Sequence, residues 1–356
     1  MPEVRIWTRL WRGQAQLPAL AAIILSLACW AVPALAQAQA GTTAAAIPPT
    51  TNPVRPGAFP AGTIRLIVPF PAGSVADAVA RLLAERLAAR FGVPVEVDNR
   101  PGAAGTMAGD VVAKASSDGQ TLLFHQANML IQSGLEPVPY DVVRDFTPVA
   151  RVAAMPLFLV IDGRLPMQTT QQWSTAVRAN PASYSYGYGQ PGSPAHLYAE
   201  YAVRGVPNGA VPLIAAKGEN AVVQEMLAGR ISACFCSYAA VQTHLRSGAL
   251  RMLGVTGVAR SALAPQVPTL QESGLEGYAA GAWYGVMAPA KTPRAIVARL
   301  AAELDNVVAE REVRARLLAA GLTPERDSPE AFAVAIRSES IQWQVILRQT
   351  AQGREP

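Results

Sequence analysis

From residue 62 onward the chain alternates short apolar runs with amphipathic stretches, and loops rich in Gly and Pro separate them. Ile64–Val68 is a continuous apolar run, the pattern of a strand buried on both faces of a parallel sheet. In the segment that follows, Val79, Leu82, Leu83, Leu87 and Phe91 fall on one helical stripe, while Arg81, Glu85, Arg86 and Arg90 fall on the other side. Gly92 is placed to end that helix. Val93–Val97 predicts a second strand, a helix is predicted near 107–115, and Thr121–Phe124 predicts a third strand after the turn Ser117-Asp118-Gly119. This βαβαβ rhythm predicts a parallel α/β sheet.

The rhythm then pauses and resumes. Val149–Ile161 is a long apolar stretch suited to a crossing between two domains. Beyond it, helices are predicted at 170–179, 194–203, 219–227 and 239–246, with strands at 183–186, 211–214, 231–235 and 250–256 between or after them. Ala282–Pro289 is apolar again and can return the chain to the first domain. Pro293 suits a helix start, and the remainder reads as helix. The predicted fold class is therefore α/β, with two lobes on a hinge. Each lobe is expected to be a mainly parallel sheet flanked by helices. Lobe 1 is expected over 62–160 and 282–356, and lobe 2 over 161–281. Ligand is expected in the cleft between them.

The first 36 residues change the setting. Arg5, Arg9 and Arg12 precede the apolar run Leu17–Val32, and Ala34-Leu35-Ala36 fits a small-x-small cleavage site. This predicts a signal peptide cut after Ala36, a flexible leader over 37–61 rich in Ala, Thr and Pro, and a periplasmic protein. The formal net charge of +5 falls to +3 when residues 1–36, with three Arg and one Glu, are removed. That balance, without a Lys/Arg block, argues against nucleic acid as a partner. Cys234 and Cys236 lie two apart in a predicted strand. They are read as small buried hydrophobes in preference to a disulfide, for which i, i+2 spacing is a poor ideal geometry.

Four loops carry the candidate chemistry. Each follows a predicted strand at the end where open α/β sheets place ligands. They are Phe70–Val75, the turn at Ala127 and Asn128, Gly187–Pro194, and Ala215–Gly218. A helix N-terminus behind such a loop offers free N–H groups and a positive dipole end to an anion. The predicted donors are the backbones of Gly73 and Ser74, with counter-contacts from Ser193 and Lys217. Asp77, a first-turn acid, is expected to cap or orient its helix or to meet an amine on the ligand, rather than to hold a carboxylate. No GxxxxGK[ST] or GxSxG occurs, and the Gly-rich loops after the first two strands, Phe70–Val75 and Asn99–Gly105, lack GxGxxG, which argues against a phosphate loop there and against serine hydrolysis. His196 is read as a residue that holds its loop; its use as a base by a periplasmic hydrolase is the weaker reading. A metal site from His125, His196 and His244 lacks ligand spacing. No cofactor, metal or catalytic residue is expected.

The ordered set IVPFPAG with Asp77 and Arg81, VDNRPGAAG, SSDGQTLL, YDVVRDFTPVA, GSPAHL, AAKGENAVVQEMLAGRIS, LRMLGVTGVAR, PQVPTLQESGL and WYGVMAPAKTP resembles the Bug family, the substrate-binding proteins of tripartite tricarboxylate transporters. The likeness runs from Ile64 to about Trp343. It implies a two-lobed periplasmic-binding-protein fold (type II, Venus flytrap) that holds a small carboxylate between the lobes with loop amides, and delivery to membrane permease subunits; a monomer suits such a shuttle. By position it implies Phe70, Ala72, Gly73, Ser74 and Asp77 on one lobe, and Gly189, Gly192, Ser193 and His196 on the other. Ser74 stands where the family usually has a second glycine. Ala216 replaces a usual Tyr before Lys217-Gly218, and Ser237 ends a strand that an acidic or amide pair commonly follows. A sensory receptor of the same fold is the alternative role.

Overall fold

The computed structural model describes residues 59–207 and 210–352. The expected signal peptide, its cleavage site and most of the leader lie outside them. Phe59, at the leader's expected end, already belongs to the folded core: it is buried, and its ring meets Phe91 edge-on at 5.8 Å.

The first sheet is built from β1 (Ile64–Val68), β2 (Val95–Asn99), β3 (Thr121–Gln126), β4 (Phe146–Ala154), β10 (Trp283–Pro289) and β11 (Thr323–Pro324), in the order β11-β4-β10-β3-β1-β2. Its parallel part, β2-β1-β3, is the βαβαβ unit that the alternation predicts. The returning strand β10 runs antiparallel between β3 and β4, so the sheet is mixed. Around it lie α1 (Val75–Phe91), α2 (Thr106–Ala113), α3 (Asn128–Leu135), α8 (Arg294–Ala309) and α9 (Arg311–Ala319). Helix α1 buries the predicted stripe from Val79 to Leu87, and Gly92 closes it in the left-handed conformation, φ 71°. At roughly 2 kcal/mol for each fully buried Leu or Val, this face adds to the high helix propensity of a segment rich in Ala, Leu and Arg. A polar residue at Leu83, which is fully buried, would unseat it.

The apolar crossing contains two strands. Pro156 separates β4 from β5 (Leu157–Asp162), which enters the second sheet. The other strands there are β6 (Tyr186–Tyr188), β7 (Leu213–Ala215), β8 (Ala233–Ser237) and β9 (Leu250–Val255), ordered β7-β6-β8-β5-β9. β6 pairs in parallel with β7 and β8, whereas β5 is antiparallel to β8 and β9. The helices α4 (Thr170–Ala179), α5 (Pro194–Ala202), α6 (Glu219–Leu227) and α7 (Tyr238–Leu245) complete this part.

The C-terminal α10 (Pro329–Gln352) packs on α3 and β4 and also on α5. Its fully buried Trp343 meets the Tyr198 ring of α5 at 5.0 Å, and the Tyr198 hydroxyl donates to Ala280 O just ahead of β10. One hydrophobic core joins Ile67, Leu123 and Met287 of the first sheet with Leu159 and Phe235 of the second. The expectation for the cysteines is corrected. Cys234 and Cys236 are buried as expected, but they are joined by a disulfide. Strand alternation puts both on one face, and their Cα atoms are 5.6 Å apart, well inside disulfide reach.

Candidate functional site

The loop after β1 is closed from within. Gly73 takes φ +82°, which a side chain would strain. Its N–H donates to Asp77 Oδ2 at 2.9 Å. Asp77 also receives Arg81 Nε at 3.0 Å and Asn99 Nδ2 at 2.9 Å. Asn99 Nδ2 reaches Phe70 O as well, at 3.0 Å, so strand β2 is tied to the loop. Burial on its own would raise the Asp77 carboxyl, but the donors Arg81, Gly73 and Asn99 outweigh it and hold the group below its ordinary range. Ser74 explains itself here: it is the N-cap of α1, and its Oγ accepts from Asp77 N at 3.2 Å.

Two loops of the second sheet are knitted together. Ala216 N donates to Tyr188 O at 2.9 Å, and Gly218 N to Gly189 O at 3.3 Å. A Cβ on Gly189 would lie 2.6 Å from Glu219 N, so only glycine allows this approach. Ser193 caps α5 by accepting from His196 N, and its hydroxyl donates to Gln190 O at 2.7 Å. His196 Nδ1 accepts from Gly192 N at 3.1 Å, and Nε2 lies 3.4 Å from Glu200 Oε1. The histidine thus holds its loop, and Ser193 is engaged elsewhere. This is not the arrangement of a Ser–His nucleophile.

These loops enclose a cavity of about 730 Å³ between the two sheets, beside the crossing at Met155 and Leu157. Five helices begin at its wall: α1 at Val75, α3 at Asn128, α5 at Ser193 and Pro194, α6 at Gly218 and Glu219, and α7 at Ser237. Each first turn leaves backbone N–H groups without helical partners, backed by a positive dipole end. Phe235, Cys236 and Tyr284 supply apolar and aromatic surface. Lys217 is exposed and forms no ion pair among the described residues. The wall therefore suits an anion with an apolar body.

Of the residues singled out from sequence, Val75, Ala127, Asn128, Gly189, Ser193, Lys217 and Ser237 meet at this cavity. Phe70, Ala72, Gly73, Ser74 and Asp77 do not line it; they form the closed loop that sets the start of α1. Gly192 and His196 line a neighbouring cavity of about 810 Å³ between α3, α5 and the end of α10. Ala216 packs instead beside the core of the second sheet. A further cavity of about 670 Å³ lies along the edge strand β9 and gathers one helix start only, that of α4. Sequence reasoning missed Glu219, Gln126, Tyr188 and Tyr284. Glu219 was within reach, since it directly follows Lys217-Gly218 at a predicted helix start. Tyr284 was not, because nothing local marks which strand residue faces a cleft.

The chain matches the model of the tripartite tricarboxylate transporter family receptor, TctC, over residues 79–351. It belongs to that family, one of solute-binding receptors rather than enzymes. It is 34% identical to protein BugT of Bordetella pertussis, with 84% of this chain and 92% of that protein covered. Among solved structures, a TctC solute-binding protein from Polaromonas without ligand superposes with a TM-score of 0.74 at 25% identity, covering 82% of this chain and 99% of that one. Rpa4515 of R. palustris with adipate superposes at 0.66 with 28% identity, over 82% and 98% of the two chains.

Proposed function

We propose that this protein is an exported receptor that captures a small organic acid and delivers it to the membrane permease of a tripartite transporter. The observation that carries the reading is the convergence on one cavity of five helix starts and Lys217, which forms no ion pair among the described residues. A carboxylate there would take up the free N–H groups of one or two first turns without needing a dedicated arginine. Adipate in the R. palustris relative is a ligand of the same chemical class.

Residues 62–160 with 282–356 form one lobe of the proposed receptor and residues 161–281 the other. The hinge lies where β4 passes into β5 and where the chain returns ahead of β10. Ligand contacts made only in the closed state shift the open–closed equilibrium, and the closed form is what the permease reads. The export signal of residues 1–36 places the receptor in the periplasm, and a monomer suits a shuttle. The test is mass spectrometry of small molecules released from gently purified protein. An organic acid that also raises the melting temperature on re-addition is the expected result. Protein that releases no acid and is not stabilised by any of a broad acid panel would overturn the reading.

A further inference from the structure

The cavity contains a carboxylate of its own. Glu219 opens α6, and its Oε1 accepts from Ser237 N at 2.6 Å while its Oε2 accepts from Ser237 Oγ at 2.7 Å. Ser237 is the N-cap residue of α7, yet its hydroxyl makes no capping bond to that helix. Glu219 thus sits where an anion from outside would dock on the start of α7. It is half-buried and forms no ion pair among the described residues. Even Lys217, two residues away, leaves it unpaired. Each carboxylate oxygen, having accepted one hydrogen bond, keeps a further lone pair for a donor.

The opposite wall comes from the first sheet and its helices. Tyr284 on β10 is buried and stacks on Phe124 with ring centroids 5.4 Å apart. Burial, with the charge of Glu219 added, pushes its hydroxyl up to about 12, so it stays a neutral donor. Asn128, at the start of α3, lines the same wall. The cavity therefore pairs an anion-accepting region of helix starts and Lys217 with the carboxylate of Glu219. A second ligand carboxylate brought to Glu219 would meet a like charge in a partly desolvated space. An ammonium would be attracted there and could fill the remaining lone pairs.

We infer that Glu219 sets the ligand class: the cleft takes an acid with a carboxylate at one end and an ammonium group at the other, and disfavours plain dicarboxylates. This rests on the carboxylate reading above.

The test is calorimetric titration of the purified protein with three matched pairs, each with one chain length and two end groups: β-alanine against succinate, 4-aminobutyrate against glutarate, and 5-aminopentanoate against adipate. At the length that fits, the amino acid should bind at least about tenfold tighter than its dicarboxylate. In Glu219→Gln the ratio should fall below about threefold. The glutamine oxygen can still accept from Ser237 N, so the melting temperature should hold. The wild-type ratios need no variant and keep the inference exposed if Glu219→Gln fails to fold. Tighter binding of the dicarboxylate at every length would overturn the inference, as would an unchanged ratio in the folded variant. Binding of none of the six acids would overturn it too. The mass spectrum of released molecules then separates the two failures, because any recovered acid leaves the carboxylate reading standing.

Discussion

Two helices of this protein start with an acid just past a Gly-containing loop, and the two acids have opposite fates. Asp77 of α1 is buried and has three donors, Gly73 N, Arg81 and Asn99. Glu219 of α6 is half-buried, has Ser237 as its one donor residue among the described residues, and lines the cavity. By sequence each is a first-turn acid that complements a helix dipole. What separates them is the surrounding chain. Around Asp77 the neighbouring strand β2 supplies Asn99, and the next helical turn supplies Arg81. Around Glu219 no such partner closes in among the described residues, and the equivalent cation, Lys217, stays apart. A saturated acid builds a loop, whereas an unsaturated acid at a cavity wall is available to a ligand.

That contrast can be broken by substitution. Asp77→Ala removes the acceptor of a backbone N–H and two side chains, and should cost about 3 kcal/mol in urea unfolding. A loss below about 1 kcal/mol would mean that the loop does not depend on its acid. The pH dependence should distinguish Asp77 from a third acid, Glu339 of α10. Asp77 lies below its ordinary 3.8, so its contribution is complete above that pH and is lost as the solution is made more acidic.

Glu339 behaves oppositely. Burial pushes its carboxyl up from 4.5 to about 7, against the Trp283 Nε1 donor at 2.7 Å and the Arg151 guanidinium, while the nearby Asp327 adds to the rise. The folded state keeps a proton that the unfolded chain has released, so stability should fall between about pH 4.5 and 7. The loss is up to about 3 kcal/mol at 1.36 kcal/mol per pH unit. Glu339→Gln should flatten this slope in denaturation curves, and a slope that persists would assign it to other groups. Lys217→Met should weaken acid binding about tenfold, near 1.4 kcal/mol, with the melting temperature little changed. The smallest expected effect is on stability in Glu219→Gln, under about 1 kcal/mol. A loss as large as that of Asp77→Ala would place Glu219 with the loop-building acids and end the contrast.

Much of the architecture was legible in the pattern of residues. The stripe from Val79 to Leu87, the stop at Gly92 and the starts at Pro194 and Pro293 rest on local chemistry that neighbours in sequence supply. Helix α3 was not delimited: Ala127 and Asn128 read as a turn after the third strand, and no capping side chain marks the helix start. The antiparallel course of β10 was also hidden, because an apolar run buried on both faces carries no sign of direction. The disulfide was missed because alternation tells which residues share a face and leaves open how closely the strand brings them.

By itself the sequence determined the α/β rhythm, the crossing and return, and the loops that could receive an anion, since these follow from periodicity and turn chemistry over a few residues. It also carried the motifs that place the chain in its family. Only the tertiary structure decided which loop closes on itself and which opens to the cavity. Asp77 meets Asn99 across 22 positions of chain, and Glu219 meets Ser237 across 18. Whether a polar group is satisfied depends on partners that only folding brings within 3 Å of it.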